Sequence, residues 1–190
     1  MDSTKSSIDT LLVDCDGVLT DGKMYMDHTG EKPFKAFNSK DIRAIREIVA
    51  MGIRVIIVTA DDGSINAKYA EKVGAELIQA RDKGKLPFES FGKFWVVCDD
   101  VWDLPMALKA DKVFCPTNVD ASILRLSPTI IQKQGGEGVI AEVVSQIAFR
   151  VVGNDHAVTM GAEASQLELN VMEPVIVASI FDSMTILING

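Results

Sequence analysis

An α/β fold, with a mainly parallel sheet covered by helices on both faces and a helical C-terminal appendage, is what this sequence predicts. Three observations predict it. Short apolar runs rich in Val and Ile recur along the first two thirds of the chain. Segments with helical spacing of apolar residues alternate with these runs, the order that yields parallel strands joined by crossover helices. Three of the runs also end on polar groups: Asp14 and Asp16, then Thr59, then Asp99, Asp100 and Asp103. In such sheets the site lies outside the carboxyl ends of the strands, so these groups converge on one edge.

Taken in order, Ile8 to Val13 reads as a buried strand. Residues 23–37, "KMYMDHTGEKPFKAF", read as a hairpin around the turn cluster Asp27-His28-Thr29-Gly30. "SKDIRAIREIVAMG" sets Ile42, Ile45, Ile48 and Val49 on one helical face and stops at Gly52. "IRVIIVTA" is Val/Ile-rich throughout, as parallel strands covered on both faces tend to be. A helix from Ser64 to Gly74, the strand "AELIQA", the strand "KFWVVCDD", the helix "VWDLPMALKA" and the strand "KVFCP" follow. "TIIQKQGG" adds an edge strand, and Pro87 breaks what would otherwise be a helix between Lys83 and Asp99.

Bulk numbers narrow the function. With 190 residues, 47% hydrophobic and 24% charged, the chain has an ordinary globular composition. A net charge of −8 argues against a nucleic-acid partner, and no Lys/Arg cluster overrides that. No apolar run approaches a membrane span, and the polar start "MDSTKSS" does not read as a signal peptide. The sparse cysteines Cys15, Cys98 and Cys115 form no CxxC pair, which fits a reducing cytoplasm.

The carboxylates carry the chemistry. Asp14, Asp16 and Asp99 cannot all stay ionised together without a cation, and oxygen-only ligands favour a hard ion such as Mg²⁺. One aspartate could then attack phosphorus, its neighbour two residues on could move the proton, and a threonine and a lysine could bind phosphate oxygens. A single Asp-x-Asp pair is more simply an acidic turn; three polar groups at successive strand ends favour the catalytic reading. Cys15 reads as a strand-end filler whose acidic surroundings raise its pKa. His28 and His156 have no partner spacing and read as ordinary residues.

Residues 8 to about 142 resemble the haloacid dehalogenase-superfamily phosphatases. "DCDGVLTDG" resembles their first motif, "IIVTA" the second and "CDDVWDLP" the fourth, while "GEKPFKAF", "KAFNSKD" and "GGEGVIAEV" resemble flanks of one narrow branch. That branch contains the 3-deoxy-D-manno-octulosonate 8-phosphate and ketodeoxynononate 9-phosphate phosphatases and the phosphatase-like domain of acylneuraminate cytidylyltransferases. The resemblance implies a Rossmann-like, capless domain and a small metabolite phosphate, of the sugar-acid type, as substrate. It makes Asp14 the nucleophile and Asp16 the general acid/base. It places Asp14, the Asp16 carbonyl and Asp99 on Mg²⁺, with Asp100 and Asp103 supporting that shell. Thr59 and a lysine, Lys83 in preference to Lys85, would hold phosphate. Capless relatives assemble as tetramers, which implies a homotetramer. Departures are Asp61 where the second motif carries Arg, Cys98 where the fourth carries Gly, and Ile42 after Asp41. Asp61 is thereby expected beside the substrate, where it would repel an acidic one. The alternative is an impaired domain kept as an assembly scaffold.

From about Glu142 onward, "VVSQIAFRVVGNDHAVTMGAEASQLELNVMEPVIVASIF" resembles a fragment of the aspartase/fumarase superfamily. The signature loop GSSxMPxKxNP is missing, so the resemblance implies assembly and not lyase activity. The chain is thus read as a phosphatase-like domain, 1–141, and a helical oligomerisation tail, 142–190. An apolar stripe at helical spacing runs from Val139/Ile140 to Val151/Val152 across the junction. After Pro174 apolar residues wrap nearly all round a helix, which must then be buried on every side.

Overall fold

The computed structural model describes residues 8–145, 158–160 and 173–189. The chain divides into two units, Ile8–Val143 and a second that contains Val144–Gly190.

The first unit is a parallel α/β sandwich. Its strands are β1 (Thr10–Asp14), β2 (Arg54–Thr59), β3 (Glu76–Gln79), β4 (Phe94–Val97), β5 (Lys112–Cys115) and β6 (Thr129–Ile130). They pair in the order β3-β2-β1-β4-β5-β6, every pair parallel. The helices are α1 (Ser39–Ala50), α2 (Ser64–Val73), the single turns α3 (Leu104–Ala107) and α4 (Ala121–Leu124), and α5, helical from 139 to the unit's last residue, Val143.

Strands β1 and β4 are buried along their whole length, as their unbroken apolar runs require. Leu12, Ile56, Val58, Phe94, Val96 and Met106 meet in one core cluster that Phe91 and Ile123 complete. Helix α1 starts where Asn38 accepts from the Lys40 N–H at 2.9 Å and buries Ala44, Ile45 and Ile48. Helix α2 ends at Gly74, whose φ of 76° is the left-handed cap expected of a terminal glycine.

The chain runs from β1 outward through β2 to β3, then returns past β1 to begin β4. The switch point therefore lies between β1 and β4, where Asp14 ends β1 and Asp99 follows β4 by two residues.

Two expectations change. Residues 23–37 hold the turn, with Gly30 N–H donating to the Asp27 carbonyl at 3.1 Å, and the Tyr25 and Phe34 rings stand 5.4 Å apart. No strand ladder forms there, because the two short arms are exposed and lack a third strand to bury against. The expected helix 101–110 is a short 3₁₀ turn, Val101–Asp103, followed by α3, because Asp100 and Asp103 bond to the backbone at its start and divide it.

In the second unit, helix α6 (Glu173–Asn189) leaves Val177, Ile180, Phe181 and Met184 exposed, which at this spacing share one face. The second half of the stripe, from 146 to 152, and position 156 lie outside the described residues. Among the described residues no helix is long and apolar enough to cross a membrane.

Candidate active site

Strand β1 delivers Asp14 to the sheet edge, and a wide turn, Cys15–Leu19, follows it. The turn leaves helical geometry at Asp16 and at Gly17, where φ is 102°. A side chain at Gly17 would be strained at this φ, and its Cβ would stand 2.1 Å from Asp99 Oδ2, so Asp99 would have to move. The turn is therefore drawn against the end of β4.

Four charged groups meet at the switch point. Lys83 opens a short 3₁₀ turn, Lys83–Lys85, and is buried. Its Nζ donates to both Asp14 Oδ1 and Asp103 Oδ1. The other Asp103 oxygen accepts from the Asp99 and Asp100 N–H groups, each at 3.3 Å. Asp14, Asp99 and Asp103 each present an oxygen, and the three atoms lie within 4.8 Å of one another. Three carboxylates against one ammonium leave two negative charges in excess, the charge of one divalent cation.

Electrostatics express this surplus. Burial, then the Asp103 charge, push the Asp14 carboxyl well above its ordinary value against the pull of Lys83. Burial, then Asp103 and Asp100, push Asp99 up to about 7. Burial alone would lower Lys83, but Asp14 and Asp103 outweigh it and hold the ammonium above its usual range. Asp99 Oδ1 is buried without a hydrogen-bond partner. A buried carboxylate oxygen left unpaired is costly, and an all-oxygen set of this charge fits a hard divalent cation.

A second group adjoins the first. The Asp16 carboxylate turns away from the cluster and accepts from Lys35 Nζ at 2.8 and 3.0 Å and from the Thr59 hydroxyl at 3.3 Å. Thr59 sits at the end of β2 and its hydroxyl accepts from the Asp61 N–H at 3.1 Å. Asp61 takes Lys35 at 2.8 Å, Lys32 at 3.0 Å and Asn66 Nδ2 at 3.1 Å. Burial would raise Asp61, but these three donors hold it below the usual carboxylate range. Asp16, Asp61, Lys32, Lys35, Tyr25 and Phe34 all line a cleft of about 300 Å³.

Of the five aspartates expected around a metal, the structure gathers Asp14, Asp99 and Asp103. The Asp16 side chain belongs to the cleft, and Asp100 caps the 3₁₀ turn by accepting from the Val101 N–H. Lys83 joins the cluster, whereas Lys85 is exposed and pairs with Asp82 at 3.2 Å. Asp61 does face the cleft, where it pairs with Lys32 and shares Lys35 with Asp16. Cys15 is an inert filler, its thiol pushed up by burial and by Asp16. Cys98 and Cys115 are buried, and hydrogen bonding between them, then burial, hold the Cys98 thiol above its ordinary value.

Sequence reasoning missed Lys32, Lys35, Asn66 and Asn118. The first two lie in "GEKPFKAF", which signalled a hairpin and a flank but not a side-chain role. Asn66 and Asn118 carry no local signal, being joined to the site only by the fold.

No protein-family model matches the chain. A crystal structure of 3-deoxy-D-manno-octulosonate 8-phosphate phosphatase from Moraxella catarrhalis, in complex with magnesium ion, phosphate ion and KDO, superposes with a TM-score of 0.67. It is 25% identical and the match covers 74% of this chain and 85% of that one. The Yersinia pestis phosphatase of the same name gives 0.67 at 25% identity over 74% and 80%. XCC2798 of Xanthomonas campestris gives 0.65 at 26% identity over 74% and 81%. A segment of 52 residues, 27% of this chain, is 61% identical to aspartate ammonia-lyase of Escherichia coli K12. The Corynebacterium glutamicum lyase is 65% identical over 52 residues. The chain spans only 11% and 10% of the length of these two lyases.

The fold and the place of its switch-point carboxylates are thus similar to those of solved 3-deoxy-D-manno-octulosonate 8-phosphate phosphatases. A segment of the chain is similar to aspartate ammonia-lyase.

Proposed function

We propose that the first domain is a Mg²⁺-dependent phosphomonoesterase that works through a phospho-aspartyl intermediate on a small sugar-acid phosphate, of the octulosonate or nononate type. The observation that carries this reading is the buried cluster of Asp14, Asp99, Asp103 and Lys83 with its two surplus negative charges. The cation would be held by Asp14, Asp99 and Asp103, with the Asp16 carbonyl as the resemblance implies. When bound it would neutralise the surplus and draw charge from phosphate oxygens.

The chain's own groups then divide the work. An Asp14 oxygen attacks phosphorus as the bond to the leaving oxygen breaks, and Asp16 gives that oxygen its proton. Asp16 then takes a proton from water, whose oxygen attacks phosphorus and frees Asp14 and inorganic phosphate. Lys83 and Thr59 hold non-bridging oxygens. Lys35 keeps the Asp16 carboxylate at the cleft side, where the leaving group would lie.

Turnover of an aryl phosphate with Mg²⁺, compared with Asp14→Asn, tests this. The wild type should turn over and the variant should lose roughly a thousandfold or more of its rate. An inactive wild type, or an active variant, overturns it. A second reading, an impaired domain acting as scaffold, draws on Asp61 in the place of an arginine and on the closed pairing of Lys83 with Asp14. The same assay separates the two.

We further propose that residues 142–190 form an assembly element giving a homotetramer. The exposed apolar face of α6 supports this, as does the similarity of a segment of this length to aspartate ammonia-lyase. Three buried free thiols support a reducing, cytoplasmic setting.

A further inference from the structure

We propose that Asn118 is a positioning residue for the cation site, locking the Asp99 carboxylate to the catalytic turn and to the glycine loop 135–138. The inference rests on the metal reading proposed above.

Asn118 follows β5 and is exposed, so it fills no part of the core. Its side chain nevertheless reaches three separate segments. Its Nδ2 donates to the Gly17 carbonyl and to Asp99 Oδ2, both at 3.1 Å. Its Oδ1 accepts from the Gly135 N–H at 2.8 Å. The amide has one orientation that serves this network. Gly135 N–H can only donate and the Gly17 carbonyl can only accept, so Oδ1 must face the first and Nδ2 the second. A donor is thereby aimed at Asp99.

The consequence falls on Asp99. With Oδ2 held by Asn118, the carboxylate can no longer rotate freely. Oδ1 is left as the buried oxygen without a hydrogen-bond partner, the one free to take a cation. The glycine loop makes the clamp rigid. Gly135 lies so close to the turn that a Cβ there would stand 2.0 Å from the Gly17 carbonyl oxygen. Gly136 N–H donates to the Val18 carbonyl at 2.9 Å, and Asn38 Nδ2 donates to the Gly136 carbonyl at 3.1 Å. Groups that orient a ligand typically change metal affinity 10–100-fold when removed.

Calorimetric titration of Mg²⁺ into the full chain tests this, with Asn118→Ala beside the wild type and thermal melting to confirm that both are folded. The expected result is a Kd roughly 10–100-fold weaker in Asn118→Ala. Its aryl phosphate turnover should recover at high Mg²⁺, with KM for the ester unchanged once the metal saturates. Asn118→Ser, which keeps one donor and one acceptor on a shorter side chain, should fall between and serves if the alanine variant is unfolded. Wild-type binding with an unchanged Kd in both variants overturns the role of Asn118 alone. A wild type that binds no Mg²⁺ overturns the metal reading beneath it.

Discussion

Replacing Lys83 by Met removes the ammonium that pairs with Asp14 and Asp103. The lysine side chain is 6% exposed and its partners 7% and 1%, so solvent screens these charges little. Methionine keeps the length of the stem, which confines the change to the charge. Breaking a buried pair by deleting one partner costs roughly 3–5 kcal/mol, because the remaining charge is left uncompensated. Here the metal-free cluster would pass from two surplus negative charges to three.

The sign of the pH dependence follows from the shifts. Lys83 is held above its ordinary value, so its stabilisation is present through the acid and neutral range and fades only in strong alkali. The penalty in the variant is relieved from the other side. Asp14 is raised by burial and Asp99 to about 7, so both take up protons as the pH falls and the uncompensated charge disappears. Urea unfolding without metal should therefore show a loss of about 3–5 kcal/mol at pH 8 and a clearly smaller one at pH 5. A loss below about 1 kcal/mol at pH 8, or equal losses at both values, would refute the buried-cluster reasoning.

Other outcomes follow from the same geometry. A cation must displace the Asp99 proton below about 7, so Mg²⁺ affinity should fall by about tenfold for each further pH unit; calorimetry in two buffers of different ionisation enthalpy should register the released proton, and a constant Kd would remove Asp99 from the site. The sign for stability is opposite: a carboxylate raised in the folded state makes the metal-free protein lose stability as pH rises from about 4 towards 7, which pH-dependent melting measures. Asp61→Asn removes one negative charge from beside Lys32 and Lys35; kcat/KM for an acidic over a neutral sugar phosphate should rise about fivefold, and an unchanged ratio would place the leaving group elsewhere. Truncation after Arg150 should reduce the oligomeric state seen by light scattering; a soluble truncated protein of unchanged state would clear the tail of that role.

Much of this was legible because it is local. The unbroken apolar runs of β1, β2 and β4 define buried parallel strands, and Gly52 and Gly74 punctuate α1 and α2 where helical spacing ends. Asp14, Thr59 and Asp99 could be placed on one edge once the strands were placed. What sequence could not give is the direction of side chains. Asp16 and Asp14 are two residues apart, yet the break at Asp16 and Gly17 sends one to Lys35 and the other to Lys83. Asp99 and Asp100 are adjacent, yet only Asp99 joins the cluster while Asp100 caps a turn. Lys35, Asn66 and Asn118 reach the site across 19, 51 and 101 residues of chain, and no periodicity records such contacts. The hairpin failed for a related reason, since its arms carry turn chemistry but no partner strand.

The central claim is that Asp14 carries the phosphoryl group. Rapid-quench labelling with a radiolabelled phosphomonoester and Mg²⁺ tests it most directly. The account predicts a hydroxylamine-labile label on the peptide that contains Asp14, formed and lost within one turnover and absent from Asp14→Asn. Turnover with the label on another peptide, or a label that survives Asp14→Asn, would contradict it.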